Sequence, residues 1–146
     1  MKKIFFISLI IFISTTLLAQ EKIRVVKTYD APEAIGPYSQ AIEANGFLFL
    51  SGQIAIDPAT NSVTGTNIES QTRQIFKNIK AVLKAAGTKL NNVIKCTVFM
   101  VDLNDFGKMN SIYEEEFGGH KPARSTVQVA RLPKDVLIEL ECIAIK

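Results

Sequence analysis

The stretch Lys121-Pro122-Ala123-Arg124-Ser125-Thr126-Val127-Gln128-Val129-Ala130-Arg131-Leu132-Pro133-Lys134-Asp135-Val136, continued to Lys146, reads as two β-strands around a turn. Polar and apolar residues alternate from Arg124 to Arg131, and one parity is apolar throughout Val136 to Ile145. Leu132-Pro133-Lys134-Asp135 supplies a turn in which proline's fixed φ and missing N–H do no harm. A tight turn there sets Arg131 opposite Val136 and makes the two strands a hairpin. Val127 and Val129 then join Ile138, Leu140 and Cys142 on a core face. The other face carries Arg124, Thr126 and Gln128 beside Glu139, Glu141 and Ile143. A guanidinium and two carboxylates among β-branched residues are not a core pattern. From these strands alone they read as a solvated face with surface ion pairs.

Met1-Lys2-Lys3 followed by the apolar run Ile4 to Leu18 has the order of a secretory signal, with Ala19-Gln20-Glu21 as the processing site. The run is about 15 residues, shorter than the ~20 that a membrane-spanning helix needs. The expectation is a leader over residues 1–19, an exported protein (periplasmic or secreted) and no stable membrane anchor once the leader is cut. Two of the 17 basic residues belong to the leader, so 15 face 14 acids in the remaining 127 residues, a net charge of +1. That length suits one domain, residues 20–146. Lys and Arg are interspersed with Asp and Glu, which gives no stripe for nucleic acid.

Ile23 to Tyr29 reads as an opening strand and Asp30 to Pro37 as a loop that delivers Tyr38. Asn45-Gly46 is the turn of a hairpin whose return strand, Phe47 to Gly52, is apolar on both parities and so expected to be buried on both faces. Thr66-Asn67-Ile68-Glu69 resembles a capping box; Ile75, Phe76, Ile79, Val82, Leu83 and Ala86 form the apolar stripe of the helix it opens, and Gly87 ends it. Asn92 to Asp102 is a strand with Ile94, Cys96, Val98 and Met100 on one face. A second helix runs from an Asn104 cap to Phe117, with Asn110 in line with Phe106, Tyr113 and Phe117. A polar group on that packing face needs a partner.

These elements make an α+β domain, about six strands in a mixed sheet with two helices on one face. The second face, with Phe99, Val101, Ile143, Ile145 and one parity of Phe47 to Leu50, is left uncovered. So large an apolar patch points to association. Cys96 and Cys142 both read as buried free thiols, although a disulfide stays open for an exported chain. One histidine and no paired cysteine motif give no metal set.

Pro122-Ala123-Arg124-Ser125, the Val-x-Val-Ala-Arg-Leu-Pro-Lys-Asp run and Ile138-Glu139-Leu140-Glu141 resemble the C-terminal signature of the Rid (YjgF) family of enamine/imine deaminases. Ala34-Ile35-Gly36-Pro37-Tyr38-Ser39-Gln40, Ser51-Gly52-Gln53-Ile54 and Val101-Asp102-Leu103-Asn104-Asp105-Phe106 resemble its other motifs in family order. The resemblance implies a chorismate-mutase-like fold and a homotrimer with clefts between subunits. It implies hydrolysis of 2-aminoacrylate or 2-iminopropionate type substrates to a 2-oxo acid and ammonia, as by a 2-iminobutanoate/2-iminopropanoate deaminase, with no cofactor. Arg124 matches the family's carboxylate-binding arginine and Glu139 the glutamate near the attacking water. Tyr38, Ser51, Gly52 and Asn110 match residues lining the cleft, and Thr126 stands where some members have a cysteine.

Each residue also has a plainer role: Arg124 paired with Glu141, Tyr38 as a packing residue, Gly52 as a strand-end turn. Two other readings remain open: an exported trimer that binds small carboxylates without turnover, and a ribonuclease, for which a lone histidine and a near-neutral chain offer little.

Overall fold

The computed structural model describes residues 23–146; the leader expected over residues 1–19 lies outside the described residues. In chain order the elements are β1 (Arg24–Val26), β2 (Ala41–Ala44), β3 (Phe47–Gln53), β4 (Ile56–Asp57), β5 (Ser62–Val63), α1 (Ile68–Ala86), β6 (Val93–Met100), α2 (Phe106–Phe117), β7 (Ala123–Gln128) and β8 (Ile138–Ile145). Six strands form one mixed sheet in the order β1-β2-β3-β8-β6-β7, and β4 and β5 form a small separate ribbon. That ribbon lies in the chain between β3 and α1.

The hairpin at β2–β3 forms as its turn residues require: Asn45 (φ 52°) and Gly46 (φ 76°) are both left-handed. On α1 the cap is Asn67, not a box begun by Thr66: its side chain accepts from the Ser70 N–H, and Gly87 ends the helix in the left-handed region. The expected apolar stripe of α1 is buried in full. It packs with Leu48, Leu50, Val98, Met100, Leu140 and Cys142 from the sheet, beside Met109, Tyr113 and Phe117 of α2. Phe76, Tyr113 and Phe117 meet edge-on or tilted, with ring centroids 4.6–5.7 Å apart. Before α2, Asp102 rather than Asn104 caps a short 3₁₀ turn, its side chain accepting from the Asn104 N–H.

The largest correction concerns the opening stretch. β7 and β8 are not a hairpin: β6 lies between them, parallel to β7 and antiparallel to β8. The turn at Pro133–Asp135 is real, with Lys134 and Asp135 at positive φ, but it starts a crossover past β6. Register with β6 therefore decides which way each side chain points. Arg124 is level with Cys96 and Cys142, and Thr126 with Val98 and Leu140, on the helix-covered face. Ser125 is level with Thr97 and Glu141, and Val127 with Phe99 and Glu139, on the open face. The predicted face of Arg124, Thr126 and Glu139 together does not exist, and Val127 is exposed instead of core.

Two bulges adjust the sheet. Between β6 and β8 the register slips at Val93–Lys95, which turns Ile94 outward and leaves Val93 as the buried neighbour of Cys96. Between β3 and β8 it slips at Leu50–Gln53, so Ser51 and Gly52 have no ladder partners. The open face keeps Phe47, Phe49, Val127 and Ile145 each more than 40% exposed. The expectation that β3 is buried on both faces thus fails within one chain, for want of a second layer.

Candidate functional site

The candidate residues fall into two groups. The first lies where α2 meets the β7 edge. Arg124 Nη2 donates to Asn110 Oδ1 at 2.8 Å, and the guanidinium carbon sits 4.5 Å from the Tyr113 ring centroid and 5.5 Å from that of Phe106. Asn110, Tyr113 and Phe117 recur on one side of α2 because helical neighbours are three and four residues apart. Asn110 thus has the partner its place on a packing face demanded, and Arg124 is paired with it rather than with Glu141.

A guanidinium stacked on an aromatic face and bonded at one nitrogen keeps its remaining N–H groups in a fixed fork. These residues wall a cleft of about 280 Å³ that also includes Glu114, His120, Lys121 and Pro122. His120 Nε2 lies 2.5 Å from the Val93 carbonyl and carries its proton toward it, which commits the ring to the scaffold. Thr126 stands one pleat further along β7 on the same face.

The second group surrounds the β3 bulge. The Glu139 carboxylate is pressed against Gly52: a Cβ built at residue 52 would overlap Glu139 Oε1. Only glycine permits that approach. Burial, and then repulsion from Glu141, hold the Glu139 carboxyl above its ordinary value. Ser51 Oγ donates to the Ser39 carbonyl at 2.7 Å, so its proton is committed to the loop. The Tyr38 hydroxyl accepts from the Ile35 N–H at 3.2 Å, which leaves its own proton for another acceptor. Tyr38 and Gly52 line a narrow crevice of about 20 Å³, room for one water.

Sequence reasoning passed over the amides that hold this second group. Gln40, buried, donates to the carbonyls of Thr28, Ala31 and Pro32 and accepts from the Thr28 N–H, which ties the Tyr38 loop in place. On α1, Gln74 and Asn78 reach the Ile54 and Ile56 carbonyls, and Gln71 bonds the Gly65 carbonyl and the Leu137 N–H. Amides at 71, 74 and 78 share one helical face beside the apolar stripe, and that spacing was the available signal.

The two groups do not meet within one chain. Arg124 is level with Cys142 two strands away, and Glu139 is three residues further along β8. That is roughly 10 Å across the sheet and 10 Å along it, or about 14 Å between Cα atoms, with the side chains on opposite faces. No group of three or more His, Cys, Asp or Glu side chains able to hold a metal ion occurs among the described residues.

Fold and site together define an α+β domain with an arginine-walled cleft on one side of a sheet and a desolvated carboxylate on the other. The chain belongs to the family described as Endoribonuclease L-PSP, whose model matches residues 28–146. A RutC family protein of Pyrococcus horikoshii is 60% identical over 122 residues, 84% of this chain and 97% of its own. A 2-iminobutanoate/2-iminopropanoate deaminase of Salmonella typhimurium is 47% identical over 126 residues, 84% of this chain and 98% of its own. Among solved structures, YyfA of Yersinia pestis, a member of the conserved Rid protein family, is similar with a TM-score of 0.84 and 49% identity, covering 86% of this chain and all of that one. The resemblance read from the motifs and the family found by comparison agree.

Proposed function

We propose that this protein hydrolyses small imines of 2-oxo acids, in a site completed where two copies of the chain meet. The observation that carries this reading is the Arg124 fork, held by Asn110 and the Tyr113 ring at the wall of a cleft. A fork of that kind pairs bidentately with a carboxylate next to the reacting carbon. The deaminase relative supports the reaction class.

In the reaction, water adds to the C=N carbon and gives up a proton; the nitrogen gains one, and the resulting aminol breaks its C–N bond to leave a 2-oxo acid and ammonia. Glu139 takes the proton from water and returns one to the departing nitrogen. A carboxyl raised above its ordinary value is the better proton carrier near neutral pH. The Tyr38 hydroxyl proton, unspent on the loop, is a donor to the substrate. Imines hydrolyse readily on their own, so positioning supplies most of what is needed.

The apolar open face, with Phe47, Phe49, Val127 and Ile145, supports assembly of copies, and we take the assembly to be a homotrimer. The lysine and apolar order of residues 1–19 supports export. An endoribonuclease reading finds less support. Arg24, Arg73, Lys80 and Arg131 are engaged by Glu43, Glu115, Glu116 and Asp135 and form no phosphate-tracking stripe. Binding without turnover is favoured by one observation, the separation of Arg124 from Glu139 in a single chain.

The deciding experiment is hydrolysis of freshly generated 2-iminopropionate, followed by ammonia release, with wild type compared against Arg124→Ala. Turnover that disappears with the arginine is expected. Equal rates for both proteins overturn the reading.

A further inference from the structure

Cys96 on β6 and Cys142 on β8 are direct partners across an antiparallel pair. Such partners have Cα atoms roughly 4.5 or 5.5 Å apart, depending on whether they exchange hydrogen bonds. Both separations lie within the roughly 4.4–6.8 Å that a disulfide spans, and paired residues point to the same face. Both thiols are free and buried on the helix-covered side. In the same core cluster as Cys96 is Tyr113, whose ring supports Arg124 and whose buried hydroxyl has no hydrogen-bond partner.

The two thiols differ in character. The adjacent Cys142 thiol, ahead of the nearby Tyr113 hydroxyl and the positive charge of Arg124 and Lys95, draws Cys96 below the ordinary thiol value against its burial. Cys142 is pushed well above that value by Cys96 and by burial. Of the pair Cys96 is therefore the more readily ionised, and the more readily ionised sulfur of a dithiol is the one that reacts first with an oxidant.

We propose that Cys96 and Cys142 are a redox-active pair that closes to a cross-strand disulfide under hydroperoxides and, on closing, shifts the core packing beneath the Tyr113 ring. The Cys96 thiolate attacks a peroxide oxygen; the O–O bond breaks, the second oxygen leaves as water or alcohol after protonation, and Cys96 becomes a sulfenic acid. The Cys142 sulfur then attacks the Cys96 sulfur. The S–S bond forms, the S–OH bond breaks, and hydroxide leaves as water with the Cys142 proton. The two cysteines lose two electrons and the peroxide gains them; a dithiol reductant reverses the change. Tyr113 lines the cleft, and Cys96 is packed in the same core cluster as Tyr113. Closure changes the support of Arg124 without touching Arg124 itself.

The test treats the reduced protein with a slight excess of hydrogen peroxide, blocks remaining thiols under denaturing conditions and weighs the product. The expected result is a monomer about 2 Da lighter than the reduced chain, resistant to alkylation, linked between the peptides of Cys96 and Cys142 and restored by dithiothreitol. The near-UV tyrosine signal is expected to change with closure in wild type, and that change is expected to be absent in Tyr113→Phe. Cys142→Ser is expected to stop at a trappable sulfenic acid on Cys96. Two alkylatable thiols after peroxide treatment, or a disulfide only between chains, overturns the proposal. So does an intramolecular bond that leaves the tyrosine signal unchanged. The wild-type mass decides the matter even where a cysteine variant fails to fold.

Discussion

Arg124 and Glu139 stand on opposite faces of one sheet with β6 between them, the arginine level with Cys96 and the glutamate level with Phe99. A small substrate held by both must take them from different copies of the chain. Arg124→Ala and Glu139→Ala subunits, each inactive alone, are expected to recover a fraction of wild-type turnover when unfolded together and refolded as mixed assemblies. Activity no greater than the sum of the separate proteins, with mixed assembly shown by native mass spectrometry, would contradict a shared site.

Gly52 owes its place to Glu139. Gly52→Ala puts a methyl group into the Glu139 carboxylate, and the side chain must leave its position. Overpacking of this kind costs about 1–3 kcal/mol. Displacing a reacting group by ~1 Å costs on the order of 100-fold in rate. A folded protein with turnover reduced to that extent is expected by circular dichroism and the ammonia assay. Wild-type turnover in Gly52→Ala removes Glu139 from the reaction.

On the proposed role of Arg124, Arg124→Ala is expected to lose a bidentate carboxylate pair, at a cost of roughly 2–5 kcal/mol in binding of a 2-oxo acid such as pyruvate. Arg124→Lys keeps the charge but neither the fork nor the guanidinium contact with the Tyr113 ring, and is expected to recover little of that loss. Isothermal titration with pyruvate reads both. Full affinity in the lysine variant shows that charge alone suffices.

Glu139 is held above the ordinary carboxylate value, first by burial and then by Glu141. Its folded value exceeds its unfolded one, so the folded state favours the protonated carboxyl. Stability from this group is therefore complete below the unfolded value and falls as pH rises through the folded one. With Glu139 as the proposed base, turnover is expected to run the other way, since a base must be ionised to accept a proton. The acid limb of kcat/KM is expected above the ordinary carboxylate range in wild type and at lower pH in Glu141→Gln, which removes the second cause. A limb that stays in place separates that ionisation from Glu139.

Residues 1–19 have the order of a cleaved leader, and if the chain is exported as proposed its mature form is expected to begin near Gln20. Intact-mass measurement of material recovered outside the cytoplasm checks this, and retention of Met1-Lys2-Lys3 in that material contradicts it.

Much of this molecule was legible before folding. The stripe from Ile75 to Ala86, the Asn45-Gly46 turn, the Gly87 stop and the need of Asn110 for a partner depend on neighbours within a few residues, and local periodicity and turn chemistry determine those by themselves. Motif order pointed to Arg124, Glu139, Tyr38 and Gly52 as a set. Their faces were not legible. A strand's parity states which residues lie together, but its neighbour decides which side they lie on, and the short turn at Pro133 suggested the wrong neighbour for β7. Pairing with β6 instead of β8 is a choice between hydrogen-bonding edges far apart in the chain, and in the pairing found Arg124 meets the Tyr113 ring and Asn110 of α2. The bulge at Ser51–Gly52, which brings Glu139 against bare backbone, belongs to the same order of information. It exists only between two strands, where one extra residue on β3 has nothing opposite it on β8.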